Sequence, residues 1–200
     1  LGVVSYLTFL LLRSGMVAPA AWLLMALVFL GAFFYSVPPV RLVASGYGEL
    51  TTSILVANLL PALAFLLQTG ELHRLVAMST FPLTMLHLAM MVAFEFPDYS
   101  NDLRHLKQTL LVRLGWRSGL LMHNILILMA YLLLGIAAVF GMPLMIVLPA
   151  FLTLPIGLLQ IWQMRRIAEG GKPNWLALTL TPVALFGAMA YLLTFAFWTR

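Results

Sequence analysis

Six long runs of apolar residues alternate with short segments that contain most of the charged residues. The runs cover residues 17–36, 51–68, 77–96, 118–141, 143–164 and 175–198. A helix rises about 1.5 Å per residue, so roughly 20 apolar residues cross a hydrocarbon core about 30 Å thick. Each run is also longer than the roughly ten residues of a membrane barrel strand. The pattern predicts an all-α protein, a polytopic transmembrane helical bundle.

A seventh apolar run, residues 1–12, is too short to cross a bilayer. At the rise of a helix it spans only about 18 Å. It begins at Leu1 and lacks the basic opening of a signal peptide. We therefore expect the chain to be the C-terminal part of a longer protein and to begin inside a helix.

The composition agrees with a membrane protein, because 63% of the residues are hydrophobic and only 8% are charged. A soluble domain typically has about 25% charged residues. The net charge is +5, but the basic residues are spread over the loops, which argues against nucleic acid as a partner. The chain has no cysteine, so disulfides and thiolate metal sites are excluded.

The distribution of Lys and Arg predicts the orientation in the bilayer. With seven crossings, alternate loops lie on opposite sides, and one set has eight basic residues against three in the other. The eight are Arg41, Arg104, Lys107, Arg113, Arg117, Arg165, Arg166 and Lys172; the three are Arg13, Arg74 and Arg200. The positive-inside rule then places the loops 37–50, 97–117 and 165–174 in the cytoplasm.

The charged segment FEFPDYSNDLRHLKQTLLVRLG, residues 94–115, includes candidate metal ligands. Asp98 and Asp102 are four residues apart and share one face if a helical segment continues past Pro97. Two such carboxylates suit Mg²⁺, which completes its octahedron with water and phosphate oxygens. Lys107 and Arg113 could neutralise the same phosphates. The alternative is a solvated loop with helix-capping acids and basic residues near the membrane.

The order of residues in this segment resembles the second aspartate-rich motif of the UbiA superfamily of intramembrane prenyltransferases, especially the dihydroxynaphthoate branch of the menaquinone pathway. The pattern of that branch runs approximately DxxxDxxxGKxTLxVRLG. The residues in register are Asp98, Asp102, Lys107, Thr109, Leu110, Val112, Arg113, Leu114 and Gly115. The segment YSVPPVRLVASGYGEL, residues 35–50, resembles an earlier loop of the family through Tyr35, Pro39, Arg41, Gly46, Gly48 and Glu49. The turn LLQTGEL, residues 66–72, is also similar to one in the family.

This resemblance implies a nine-helix fold, of which about seven helices lie in this chain. Residues 1–200 would form a single transmembrane prenyltransferase domain that lacks its first two helices. The first aspartate-rich motif of the family would then lie upstream, so we expect the 200 residues alone to be inactive. The resemblance also implies an integral protein of a bacterial or archaeal cell membrane, with its active site on the cytoplasmic side.

The implied reaction moves a prenyl group from a polyprenyl diphosphate to an aromatic quinone precursor in the lipid bilayer, with Mg²⁺ as cofactor. Asp98 and Asp102 would bind the metal and, together with Lys107, form the catalytic set. The substrate-binding residues would be Tyr35, Arg41, Glu95 and Arg113.

Ionisable side chains inside a span are functional candidates because they are costly there. His87 and His123 could each face a substrate or form a hydrogen bond to a neighbouring helix. Glu95 could assist the metal, accept a proton from the acceptor, or be solvated at the membrane edge. Asn58 and Pro61 predict a kink or a contact between helices.

Several positions depart from the family pattern. Leu106 stands where the family has Gly or an acidic residue, Pro39 where Lys is frequent, and Val43 where many relatives are basic. Arg41 could supply the missing charge if Glu49 orients it, although Glu49 could equally be a favourable acid near a helix N-terminus. These departures support one rival hypothesis, a non-catalytic membrane scaffold derived from such an enzyme. A second rival is a small transporter or channel subunit, because intramembrane His and Glu can mark ion paths.

Overall fold

A computed structural model describes residues 18–199, together with Gly2, Tyr6, Phe9, Leu10 and Arg13. The predicted seventh crossing, residues 1–12, lies outside the described residues apart from four of these single positions.

The described chain consists of eight helices and no strand in residues 18–199. The helices are α1 (Pro19–Ser36), α2 (Gly48–Thr69), α3 (Arg74–Glu95), α4 (Tyr99–Arg104), α5 (Leu110–Leu114), α6 (Trp116–Val139), α7 (Leu144–Ala168) and α8 (Trp175–Trp198), with a 3-10 turn at Leu42–Ala44. Six of them, all except α4 and α5, are long and apolar enough to cross a membrane. The all-α class and the polytopic bundle are therefore confirmed.

Most helix ends differ from the apolar runs by up to about a turn, and polar side chains cap some of the helices. Helix α3 begins at Arg74, where the side chain of His73 accepts a hydrogen bond from the Leu75 N–H. Helix α8 begins in the same way, with Asn174 accepting from the Ala177 N–H. Such caps satisfy backbone N–H groups that the first helical turn leaves without partners.

Two of the long helices are irregular near prolines. Helix α2 has a π-helical turn at Leu55–Leu59, directly before the segment in which Pro61 lies. A proline cannot donate the helical hydrogen bond, so the backbone widens there. Asn58 in this turn donates a hydrogen bond of 3.2 Å to the Thr80 hydroxyl on α3, which confirms the predicted irregularity and contact. Helix α7 is similarly interrupted between Phe151 and Leu154.

Helices α3, α6, α7 and α8 form a four-helix bundle in which α3 packs most extensively against α6 and then against α8. Its centre is apolar, with Val92, Leu134, Ile146 and Met189 fully buried. Helices α1 and α2 lie beside this bundle, and α2 contacts α3. Ala21 is the buried residue of α1, whose other apolar side chains form a surface suited to lipid.

Both histidines inside the spans form hydrogen bonds between helices. His87 Nδ1 on α3 is 2.9 Å from the Ser53 hydroxyl on α2. On α6, His123 Nε2 is 3.3 Å from Gln160 Nε2 on α7, and this amide also donates to the Leu178 carbonyl on α8. These contacts confirm the interhelical alternative for both histidines.

Candidate functional site

The spans run alternately up and down, so the loops 37–47, 96–115 and 169–174 share one end of the molecule. We call this end the motif end, because the two segments that resemble the family motifs lie there. Pro97 follows α3, and a turn at 96–98 separates α3 from the short helix α4. The helical path is therefore interrupted at Pro97, and α4 restarts it at Tyr99.

Asp98 and Asp102 nevertheless lie one helical turn apart. Asp98 is the residue before α4, and the Asp102 N–H donates a hydrogen bond of 2.8 Å to the Asp98 carbonyl. Residues spaced four apart on a helical turn project from the same side. The local backbone thus brings the two predicted metal ligands onto one side, as the spacing indicates.

Asp102 is paired with Lys107. The Asp102 side chain is buried, and the Lys107 ammonium lies 3.3 Å from its Oδ1 and 3.5 Å from its Oδ2. This is the ion pair found among residues 18–199. Because the Lys107 side chain is 59% exposed, it is open to a further negatively charged partner.

Leu106 shapes the turn that brings Lys107 back to Asp102. It has φ 52, in the left-handed region that Gly adopts most easily. Its N–H donates to the Leu103 carbonyl and the Lys107 N–H to the Asp102 carbonyl, the two bonds of a Schellman helix end. The left-handed backbone of this turn explains why the family motif has Gly at this position, although this chain has Leu106.

The segments 35–50 and 107–115 meet through Arg113. The Arg113 side chain crosses Gly46, where a Cβ would overlap Arg113 Cδ. Arg113 Nη1 donates a hydrogen bond of 2.7 Å to the Ser45 carbonyl, and the guanidinium lies 4.5 Å from the centre of the Tyr47 ring. Gly46 has φ 73, so both its backbone conformation and the space beside it favour glycine.

Tyr35 and Gly48 are also close together in this region. A Cβ on Gly48 would lie 3.6 Å from the Tyr35 ring and 3.1 Å from the Val43 backbone. Arg41 is exposed and has φ 40, and it forms no ion pair with any residue of the described chain. The predicted orientation of Arg41 by Glu49 is therefore wrong, because no ion pair joins them; Glu49 lies in the first turn of α2, which confirms the alternative of an acid near a helix N-terminus.

Glu49 instead lies beside Glu95, at the end of α3. Glu95 Oε2 accepts a hydrogen bond of 2.8 Å from the Leu111 N–H, and the Thr109 hydroxyl is also near its carboxyl. Glu95 Oε1 and Glu49 Oε2 are buried and have no hydrogen-bond partner among the described residues. Glu95 thus connects α3 to both motif segments, and solvation at the membrane edge does not describe its environment.

An apolar cavity of about 760 Å³ lies between α2, α3 and α8. Residues of its wall include Val56, Phe65, Leu83, Phe186 and Ala190. The cavity extends from the end of the bundle opposite the motif end, near His73, to Leu83 and Phe186 at mid-span. The ring of Phe186 lies 5.1 Å from the His87 ring, between this cavity and the motif end.

Sequence reasoning did not single out Ser53, Gln160 or the contact between Glu49 and Glu95. Ser53 and Gln160 are each fully buried polar residues within apolar runs. An isolated Ser or Gln inside an apolar run could have indicated them, because a polar side chain needs a hydrogen-bond partner in hydrocarbon.

These observations define an integral membrane protein whose polar motif residues gather at one end of a helical bundle, above an apolar cavity. The model of the UbiA prenyltransferase family matches residues 1–181. The chain belongs to the UbiA prenyltransferase family. Among curated proteins and among solved structures, nothing matches it.

Proposed function

We propose that this family member moves a polyprenyl group from its diphosphate to a dihydroxynaphthoate-type quinone precursor, with Mg²⁺ held at Asp98 and Asp102 on the cytoplasmic side. Family membership supports intramembrane prenyl transfer in general. The observation that carries the finer proposal is the turn in which Asp98 and Asp102 lie together with Lys107 paired to Asp102. The likeness of residues 98–115 to the naphthoate branch supports the acceptor class.

The donor set at this turn fits Mg²⁺. Magnesium is usually bound by one or two carboxylates plus water and substrate phosphate. Within the described part of the chain, no group of three or more His, Cys, Asp or Glu side chains could hold a metal, so a Mg²⁺ at this turn would have at most Asp98 and Asp102 as carboxylate ligands. The chemistry that the bound metal supplies is neutralisation of negative charge on the departing diphosphate.

Lys107 adds a positive charge at the same place. Its ammonium can keep the contact with Asp102 while its exposed side donates to a phosphate oxygen, because an ammonium has three donors. A charge-assisted hydrogen bond of this kind is strongest on the negative charge that grows as the carbon–oxygen bond breaks. Arg113 would act differently: its contacts with Ser45 and Tyr47 make it a residue that holds the two motif segments together.

The apolar cavity supplies a place for the prenyl chain. Leu83, at its inner end, is 12 residues before Glu95 on the same helix, a rise of about 18 Å. A diphosphate at Asp98 and Asp102 would therefore direct its chain along α3, past His87 and Phe186. Such a path favours a long polyprenyl donor over a short one.

The Asp102→Asn variant of the full-length protein tests the metal assignment. We expect kcat for transfer from a radiolabelled polyprenyl diphosphate to 1,4-dihydroxy-2-naphthoate to fall by about 100-fold or more, because this is the scale of losing one electrostatic contact in the transition state. Glu169→Gln is the matched control, since it removes one exposed carboxylate at the motif end, and it should leave kcat unchanged.

Two results would overturn the proposal. Unchanged kinetics of Asp102→Asn would remove the metal assignment. If the unaltered protein neither turns over nor binds polyprenyl diphosphate in a Mg²⁺-dependent manner, the chain is the non-catalytic scaffold.

A further inference from the structure

A second cavity, with polar and apolar residues in its wall, lies at the motif end, where α7 ends and α8 begins. Its volume is about 180 Å³, and its wall includes Trp162, Gln163, Arg166, Lys172 and Asn174. This volume exceeds the roughly 10–15 Å³ required for one water about tenfold, so a headgroup-sized ligand can enter. It is separate from the turn of Asp98 and Asp102, none of whose residues line it.

A tight turn brings the two basic residues to this cavity. The Gly170 N–H donates to the Ile167 carbonyl and the Gly171 N–H to the Arg166 carbonyl, the bonds of a Schellman helix end. A Cβ on Gly171 would lie 2.8 Å from both Arg166 Cγ and Arg166 O. The chain therefore closes directly over Arg166 and places Lys172 beside it.

The positive charge of this cavity is not neutralised by the part of the chain that the structure describes. Neither Arg166 nor Lys172 has an acidic side chain within 4.0 Å. Glu169 in the same turn is exposed and forms no ion pair with a described residue. With Arg165, the segment 165–174 contains three cations against one anion. A phosphate group would supply the missing negative charge.

Gln163, in the wall of the cavity, has a buried side-chain oxygen without a hydrogen-bond partner among the described residues. Gln163 Nε2 donates to the Thr181 hydroxyl, whose own proton goes to the Ala177 carbonyl. This fixes the amide orientation and leaves Gln163 Oε1 buried without a partner among the described residues. A buried acceptor without a donor is unfavourable, so a rotation of the Gln163 side chain toward the cavity would be stabilised by a hydroxyl of the ligand that donates to Oε1.

The surroundings favour a lipid over a free anion. The indole of Trp162 is 55% exposed at the end of α7, and the Arg166 guanidinium lies 5.6 Å from its ring centre. Leu158, Leu159 and Leu176 continue an exposed apolar surface from the cavity into the spans. Trp and Arg at a helix end are typical of the headgroup level, and basic pockets between spans bind anionic headgroups.

We propose that this cavity binds the phosphate of an anionic phospholipid whose headgroup carries hydroxyls, with Arg166 and Lys172 on the phosphate and Gln163 Oε1 accepting from a hydroxyl. The proposal is independent of prenyl transfer, because it concerns a site with no residue of the proposed catalytic set.

Lipid retention by the purified full-length protein, measured by native mass spectrometry, tests the phosphate contact. The probes are phosphatidylglycerol, phosphatidylcholine and inorganic phosphate. We expect the protein to retain phosphatidylglycerol in preference to phosphatidylcholine. The double variant Arg166→Gln/Lys172→Gln should weaken the binding of phosphatidylglycerol about 30-fold, which is the scale of two basic contacts. Arg117→Gln/Arg165→Gln is the matched control, because it removes two exposed cations at the same end that do not line the cavity, and it should retain the lipid.

Equal losses in the two double variants would show that retention depends on diffuse surface charge, and the site would be refuted. Retention of inorganic phosphate without phosphatidylglycerol would overturn the lipid assignment. The variant Gln163→Leu should weaken the binding of phosphatidylglycerol. It should leave the binding of phosphatidic acid unaffected, because that lipid lacks the glycerol headgroup and its alcohol hydroxyls. If both lipids bind this variant as they bind the unaltered protein, the role of the hydroxyl is wrong.

Discussion

Substitution of Gly46 by Ala should separate the two motif segments. The new Cβ would overlap Arg113 Cδ, so the Arg113 side chain must leave its present position. Ala at φ 73 would itself cost about 1–2 kcal/mol. Loss of the exposed Arg113 hydrogen bond to Ser45 would add about 1 kcal/mol, and loss of the contact with the Tyr47 ring about 0.5–1 kcal/mol. We therefore expect a decrease of about 2.5–4 kcal/mol in the free energy of unfolding.

Gly70→Ala is the control for backbone strain alone. Gly70 has φ 79, close to that of Gly46, but a Cβ there would have no heavy atom within 4 Å. Its substitution should therefore cost only about 1–2 kcal/mol. The measurement is reversible unfolding of the purified protein in mixed lipid and detergent micelles, titrated with a denaturing detergent.

The double variant Gly46→Ala/Arg113→Ala makes the argument refutable. If the close approach of Arg113 is the reason for the extra loss, Gly46→Ala in the Arg113→Ala background should cost no more than Gly70→Ala does. The interaction energy of such a cycle reports contact between the two residues. Equal costs of Gly46→Ala and Gly70→Ala in the unaltered background would refute the packing of Arg113 over Gly46.

Three further predictions concern the turn and the cavity. Leu106→Gly should raise the free energy of unfolding by about 0.5–1 kcal/mol in the same titration, since relief of the left-handed strain exceeds the entropy of glycine; a loss would contradict the assigned conformation. Lys107→Gln should raise the KM for polyprenyl diphosphate about tenfold, which is the scale of one charged contact, and the KM of Lys107→Arg should lie between those of Lys107→Gln and the unaltered protein. An unaltered KM of Lys107→Gln in steady-state assays would exclude the phosphate contact. Ala190→Phe should shorten the longest prenyl chain accepted, because the ring would fill part of the cavity, and the product lengths measured by mass spectrometry would be unchanged if the chain lies elsewhere.

The spans could be predicted from the sequence because hydrophobic length is a local property. The ends were less predictable: α3 begins three residues before its apolar run, after the cap residue His73, whereas α8 begins at the first residue of its run, after the cap residue Asn174. The irregular turn in α2 was predictable for a similar reason, because Asn58 and Pro61 carry their effect within one or two helical turns.

The candidate site was predictable only in its local part. Asp98, Asp102 and Lys107 lie within ten residues, so one turn and one helix end decide their arrangement. The contact of Arg113 with Ser45 joins residues 68 positions apart. Such a pair depends on how α2 and α3 pack, and no local pattern contains that information. The expectation that Glu49 orients Arg41 was wrong for the same reason.

Two of the departures from the family pattern, Leu106 and Val43, concern the path of the backbone. They therefore argue less strongly against catalysis than the sequence alone suggests. Leu106 adopts the left-handed conformation that suits Gly, and both hydrogen bonds of the turn form around it. Because the Leu106 side chain is 82% exposed, it does not obstruct the turn, and Lys107 still reaches Asp102. Val43 lies in the tight contact beside Gly48, where its backbone is the nearest neighbour. Asp102 is buried and paired with Lys107, and the exposed part of the Lys107 side chain stays open to a negatively charged partner, as binding of a prenyl diphosphate would require. The departures at Leu106 and Val43 therefore do not favour the scaffold over the enzyme.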